Sequence, residues 1–292
     1  MTQAQMVRQR TIHHPTKRVV YIVGRVLTYI LLTAGALVML YPFIWMVMIS
    51  LGSLEDLFSM PPRYIPTRLH WENYPRALTE IPFFTYLRNT LFITGVSMVG
   101  QLLSCTMTAY SFARLRWRLR DTVFVLVLAT MMMPPQVTLI PTYVIWRELH
   151  ALDTYIPLIV PGYLGTAYLT FLARQYFSTI PFELEDAAKV DGCGFFSTFF
   201  KVIMPLSLPL LATLAMFSFI GHWNNFFGPL IYLQSPEKYT LQLALMSYRG
   251  AYSTDVPMMM ALATLILMPV LLFFLFGQKY FIRSVVLSGL KG

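Results

Sequence analysis

The chain has 292 residues, of which 57% are hydrophobic and only 12% charged, with a formal net charge of +9. A water-soluble domain carries about twice that charged fraction, and no segment is long and polar enough to present the basic face that nucleic acid requires, so no nucleic-acid partner is expected. Cys105 lies in an apolar run and Cys193 in a polar one, and the five histidines have no metal-ligand spacing, which argues against a disulfide framework or a metal site.

Basic residues Lys17, Arg18 and Arg25 precede a first apolar run at 26–49. That run exceeds the roughly 7–15 residues of a secretory signal core, so it is expected to stay as a membrane helix. Further apolar runs follow at 89–113, 122–146, 155–176, 202–222 and 257–280. Each approaches the ~20 residues a helix needs to cross a bilayer core. Lipid offers no partners for backbone N–H and C=O groups, so all six are expected to be helical. The fold class is therefore an all-α polytopic membrane protein with six transmembrane helices. Pro134-Pro135 interrupts the third run and predicts a kink there.

Basic residues accumulate in cytoplasmic segments. With the N-terminus inside, fifteen of the 22 Lys and Arg fall on inner segments and seven on outer ones, and the short loop RLRWRLRD between runs two and three carries four of the fifteen. Both termini are thus expected in the cytoplasm. Segments 50–88 and 223–256 then lie outside and are long enough to make contacts, while 177–201 lies inside.

All thirteen acids fall in the loops between the runs. Ion-coupled carriers commonly bury an ionisable residue at mid-membrane, and no such carboxylate is present. No inverted internal repeat is evident either. An ion-coupled secondary carrier is the alternative this pattern disfavours; a membrane-embedded enzyme lacks a phosphate loop, metal spacing or nucleophile–base pair. Uphill movement of a solute would need energy from another subunit.

Four acids concentrate in the inner segment: Glu183, Glu185, Asp186 and Asp191. Pro181 is suited to a helix start, Thr179 to a cap, and the acids to the first turns, where the helix dipole favours negative charge. Gly192 is a stop signal. The expectation is a short helix over 181–191 with a bare stripe at Ala187 and Ala188, then a second helix over 195–202 before Pro205 re-enters the membrane. Such a helix is either an ordinary interfacial element or a docking surface for another protein.

The stretch ELEDAAKVDGCGFFSTFFKVIMPLSLP resembles the EAA loop of ABC importer permeases. That pattern runs Glu-Ala-Ala, three residues, Gly, nine residues, Ile, one residue, Leu-Pro; here Asp186-Ala187-Ala188, Gly192, Val202 and Met204-Pro205 hold the spacing. The tail QKYFIRSVVLSGLKG, the segment WNNFFGPLIYLQSPEKYTL, and MMMPPQVTLIP and LDTYIPLIVPG are similar to the carbohydrate-uptake permeases of the maltose-transporter type. The resemblance implies a type I importer (MetI-like) permease fold over 21–292, with a core at about 85–282 and the EAA loop at 181–205, preceded by a basic tail at 1–20. It further implies a multi-pass protein of a bacterial or archaeal plasma (inner) membrane. Partners implied are a second homologous permease, two ATPase subunits, an extracytoplasmic solute-binding protein and membrane lipid. No cofactor would be bound by this chain, ATP and Mg being used by the ATPases. Glu183, Glu185, Asp186, Ala187, Ala188, Asp191 and Gly192 would form the coupling helix seated in the ATPase. Asp186 stands where the family has Glu, one methylene shorter, so the ion pair to an ATPase arginine falls to Asp186 or to neighbouring Glu185. Cys193 replaces the usual Ala.

Trp223, Asn224 and Asn225 sit at the outer end of the fifth run. Aromatic faces and amides suit sugar rings and hydroxyls, although aromatics also pack at interfaces and Asn also caps helices. Outer segment 234–256 is a candidate contact for the binding protein, and basic tail 279–292 for the ATPases or lipid headgroups.

Overall fold

The computed structural model describes residues 15–59, 65–251 and 255–289, within which the chain is helical and contains no strand. The tail at 1–20 therefore falls largely outside the described residues, as do Arg63 and Lys291 of the basic count. In chain order the helices are α1 (Pro15–Ser50), α2 (Leu54–Phe58), α3 (Asn73–Thr79), α4 (Phe83–Arg114), α5 (Arg120–Ala129), α6 (Pro135–Glu148), α7 (Ile156–Tyr163) and α8 (Ala167–Phe177). They continue as α9 (Glu183–Val190), α10 (Phe195–Thr198), α11 (Met204–Leu206), α12 (Leu208–Trp223), α13 (Phe227–Tyr232), α14 (Leu241–Ala251) and α15 (Val256–Gly289).

Four stretches are helical, long and apolar enough to cross a membrane: Tyr21–Ser50, Phe83–Arg114, Ile156–Phe177 (α7 and α8, joined through residues 164–166) and Val256–Lys279. The other two expected spans are bent pairs. α5, extended by a 3₁₀ turn at Thr130–Met132, meets α6 at 98°. Met133 and Pro134 are extended there (ψ 119° and 133°), because a residue before proline is driven out of the helical region. Pro135 opens α6 at a position where no N–H is needed. The expected kink is thus a full corner.

The second corner corrects the fifth span. Helix Phe195–Leu206 turns 82° into Leu208–Trp223, so the apolar rod begins at 208 rather than at 202. Val202 belongs to a π-helical turn, Phe199–Ile203. Fully buried Ser207 closes the corner by donating to the Ile203 carbonyl at 2.7 Å, and Pro205 and Pro209 flank it. The second span also begins earlier than expected, at Phe83 instead of 89.

α4 is the organising rod: it packs against α7, α8 and α12, while α12 and α1 pack against α15. Two apolar clusters share it. One joins Phe83 and Tyr86 to Phe219, Trp223, Leu241, Met258 and Leu262. The other joins Cys105, Ala109 and Tyr110 to Ala173, Phe177, Phe199, Ile203 and Leu214. Between membrane helices the gain comes from close packing, which small residues permit. At Gly162 an added Cβ would lie 2.8 Å from the Ser97 carbonyl, and at Gly100 one would lie 2.4 Å from the Tyr163 ring. The α4–α7 contact therefore depends on both glycines. Although α1 packs against α15, its residues from Tyr21 to Phe43 are exposed to whatever surrounds the protein.

Candidate functional site

α9 is shorter than expected. It starts at Glu183, with Phe182 at the cap position and no side-chain cap. Thr179 instead donates back to the Tyr176 carbonyl at 2.8 Å, finishing α8. Glu183, Glu185 and Asp186 occupy the first turn and Lys189 the last, the arrangement the helix dipole favours. The end is a Schellman turn: Gly192 (φ +80°) donates to the Lys189 carbonyl at 3.0 Å and Cys193 to the Ala188 carbonyl at 2.9 Å. Asp191 is the C-cap residue and is exposed.

The inward face of α9 is fastened to the last turns of α4. Glu185 Oε1 lies 3.0 Å from Arg114 Nε, with 7% and 0% of the two side chains exposed. This contact is one of charge, since Arg114 Nε and Glu185 Oε1 lack an aligned hydrogen bond. Arg114 Nη2 donates to the Ile180 carbonyl, and its guanidinium carbon stands 4.2 Å from the centre of the Phe182 ring. One turn away, the Tyr110 ring packs against Phe199 at 5.1 Å, Phe195 at 5.3 Å and Phe177 at 6.2 Å. Residues 182–199 are thus clamped to α4 by one buried ion pair and one aromatic cluster.

Glu185 is buried against Arg114 within this chain, which leaves Asp186 as the exposed member of the two acids weighed for a partner's arginine. One expectation about α9 is corrected here. Ala187 and Ala188 form no common bare stripe: consecutive helical residues point about 100° apart, and Ala188 is buried while Ala187 is exposed. The outward face instead consists of Glu183, Leu184, Asp186, Ala187 and Val190, the last 88% exposed. Asp186 makes an exposed pair with Lys189 at 2.9 Å. Such surface pairs contribute about 0.2–1 kcal/mol, so the Asp186 carboxylate is easily released to a stronger partner. Arg114, counted in the sequence as one of four loop arginines, is the residue that reasoning from sequence missed. Its position as the last residue of an apolar run was the available signal; its partner had none.

The three residues at the end of α12 separate. Trp223 is 1% exposed, stacks on Phe219 at 5.3 Å and donates Nε1–H to the Ile266 carbonyl at 3.3 Å. It is packed in the apolar core. Asn225 Oδ1 accepts from Gly228 N at 3.1 Å, a turn that leads into α13. Asn224 alone is exposed, accepting from Gln242 Nε2 at 3.1 Å. Nearby lies a polar group the sequence reading passed over: Gln101 Oε1 accepts from Ser218 Oγ and sits 3.2 Å from His222 Nε2, and Gln101 Nε2 reaches Thr166 Oγ1 at 3.4 Å. Polar residues in otherwise apolar spans were the signal for it.

At the opposite end of α4, Asn89 Nδ2 donates to the carbonyls of Glu237 and Tyr239 at 2.9 and 3.0 Å. There Asp153 (φ +55°) gathers the turns around 234–238: Oδ1 accepts from Gln234 N and Ser235 N at 2.9 and 3.0 Å, and Oδ2 accepts from Ser235 Oγ and from Lys238 Nζ at 2.7 Å. The Lys238 ammonium, helped by the Ser235 hydroxyl and the two N–H groups, holds the Asp153 carboxyl well below the usual carboxylate range. Of segment 234–256, residues 252–254 lie outside the described residues. Among the described residues no group of three or more His, Cys, Asp or Glu could hold a metal ion.

Residues 102–287 match the family model described as the binding-protein-dependent transport system inner membrane component. A protein described as an ABC transporter permease in Caldicellulosiruptor sp. (strain Rt8B.4) is 34% identical over 265 residues, covering 90% of this chain and 96% of that one. The arabinooligosaccharides transport system permease protein AraQ of Halalkalibacterium halodurans is 30% identical over 269 residues, covering 90% and 96%. Among solved structures, a chain of a bacterial ABC transporter involved in the import of the acidic polysaccharide alginate superposes with a TM-score of 0.75 at 28% identity, over 91% of this chain and 98% of that one.

Proposed function

Because the chain belongs to the inner membrane components of binding-protein-dependent transport systems, we propose that it forms one half of the translocation pathway of an ABC importer for a carbohydrate or carbohydrate-like solute. The other half is a second, homologous permease. An extracytoplasmic solute-binding protein delivers the solute, and two cytoplasmic ATPase subunits bind ATP and Mg and supply the energy; this chain performs no hydrolysis. Both termini and α9 face the cytoplasm of a bacterial or archaeal cell.

The observation that carries the proposal is the two-sided character of α9. Its inner face is locked to α4 through Arg114–Glu185, and its outer face offers Leu184, Asp186, Ala187 and Val190 to a partner. A rigid helix held at one side and free at the other is suited to pass on a rigid-body displacement. Through Arg114 that displacement enters α4, the rod against which α7, α8 and α12 pack. The carbohydrate class is supported by the relatives' solutes and by exposed Asn224 with Gln242 at the end of α12.

The test is Asp186→Lys, assayed as solute uptake and as co-purification of the ATPase subunits. Reversed charge should weaken both by at least tenfold, since losing a charge-assisted contact costs about 1.5–3 kcal/mol. Wild-type behaviour in both assays would remove Asp186 from the interface.

A further inference from the structure

Five residues, 115–119, join α4 to α5, and both helices are apolar. A connection that short keeps the loop at the level where the bilayer meets water. It reads Leu115-Arg116-Trp117-Arg118-Leu119, alternating apolar and basic side chains, with Arg120 opening α5. Four guanidinium groups gather here, Arg116, Arg118, Arg120 and Arg174, against one carboxylate, Asp121, which leaves a local charge of +3 (4 − 1). Asp121 is already shared: Arg120 Nε lies 3.1 Å and Arg174 Nη2 3.7 Å from its Oδ1. Arg116 and Arg118 form no ion pair among the described residues.

The loop also borders an open hollow. A concavity of about 480 Å³ is lined by Arg116, Trp117, Leu119, Arg120, Asp121 and Thr122. Trp117 is steadied by the Phe112 ring at 5.7 Å, with part of its indole exposed. Leu119 is 63% exposed and held at φ +68°, a conformation disfavoured for any L side chain larger than glycine. Its backbone thus holds an apolar side chain out at the rim of a basic hollow.

We infer that the 115–122 hollow is a binding site for an anionic phospholipid, its phosphate against Arg116 in the lining with exposed Arg118 beside it in the loop, and its glycerol and upper acyl carbons against Trp117 and Leu119. Charge complementarity requires an anion. The Trp and Leu beside the arginines, at interface depth, select one that carries its own apolar body, which free phosphate lacks. Indole and arginine are the side chains suited to that depth.

The full-length protein, purified with its accompanying subunits, is soaked with phosphatidylglycerol or phosphatidylcholine in detergent, and retained lipid is counted by native mass spectrometry. The wild type should prefer phosphatidylglycerol. Replacing both arginines (Arg116→Gln with Arg118→Gln) should cut that preference about 25-fold, at about fivefold for each basic residue, the equivalent of about 1 kcal/mol. The charge-keeping pair Arg116→Lys with Arg118→Lys should retain most of it, which separates lost binding from lost folding. Undiminished preference in the Gln pair would overturn the proposal. So would displacement of the wild-type lipid by inorganic phosphate at matched concentration, which would mark the hollow as a free-anion site. Loss of an ATPase subunit from the Gln pair with lipid retention unchanged would assign the surface to protein instead.

Discussion

Replacing Arg114 by Met isolates the contact on which transmission from α9 depends. Methionine fills the volume of the arginine stem, so little cavity energy is lost, but the Glu185 carboxylate remains with 7% of its side chain exposed and no cation beside it. Removing one member of a buried pair costs about 3–5 kcal/mol. The Ile180 carbonyl loses its charged donor in the same change. At 1.4 kcal/mol per tenfold, the closed state of α9 should weaken by roughly a hundred- to several-thousand-fold. Hydrogen–deuterium exchange reads this locally, at the amides of Asp191, Gly192 and Cys193, which are bonded to the Ala187, Lys189 and Ala188 carbonyls. Arg114→Met should lose their protection by about that factor, while amides in the middle of α12 stay protected. Adding Glu185→Leu should restore most of it, because exchanging a whole buried pair for apolar residues is often neutral or stabilising. Equal protection in wild type and Arg114→Met, or a double variant as open as the single one, would refute the clamp.

Three further outcomes follow from the geometry. The depressed Asp153 carboxyl contributes stability that is fully present above its unfolded value of about 3.9 and is lost as pH falls through the lower folded value; exchange protection of the Gln234–Ser235 turn should therefore persist at pH 5 and fail only well below pH 4, whereas Asp153→Asn, which tolerates the same backbone, should fail at neutral pH. Trp223→Ala should cost about 3–5 kcal/mol of stability with an unchanged apparent KM in whatever protein folds, while Asn224→Ala should raise KM with stability within about 0.5 kcal/mol, measured by uptake titration and thermal melting. Gly162→Ala should separate α4 from α7 at a cost of about 1–3 kcal/mol, seen as a lower melting temperature, because its Cβ would stand 2.8 Å from the Ser97 carbonyl.

Where the chain's chemistry is one-dimensional, the sequence was enough. Apolar run length located the rods at Tyr21–Ser50 and Val256–Lys279 to within a few residues, since lipid leaves the backbone no choice but helix. Pro134-Pro135 marked a break, and Gly192 marked the end of α9. The corner angles were not legible, because 98° and 82° depend on what packs inside each bend, and Ser207 between Pro205 and Pro209 does not announce a turn. Partnership was the other blind spot. Glu185 and Asp186 are adjacent acids in one motif, yet one is buried against Arg114, 71 positions earlier (185 − 114), and the other is exposed. Trp223 and Asn224 are adjacent too, and the helix turn alone sends one into the core and the other outward. Residue type proposed both pairs as sites; only the third dimension divides them.

Whether partner ATPases or an ion gradient power this permease is decided by uptake in sealed vesicles holding the complete assembly with its binding protein. Uptake should proceed with ATP on the α9 side in the presence of protonophore and sodium ionophore, and Asp186→Lys should abolish it. Uptake driven by an imposed proton or sodium gradient without ATP, and indifferent to Asp186→Lys, would show an ion-coupled carrier instead.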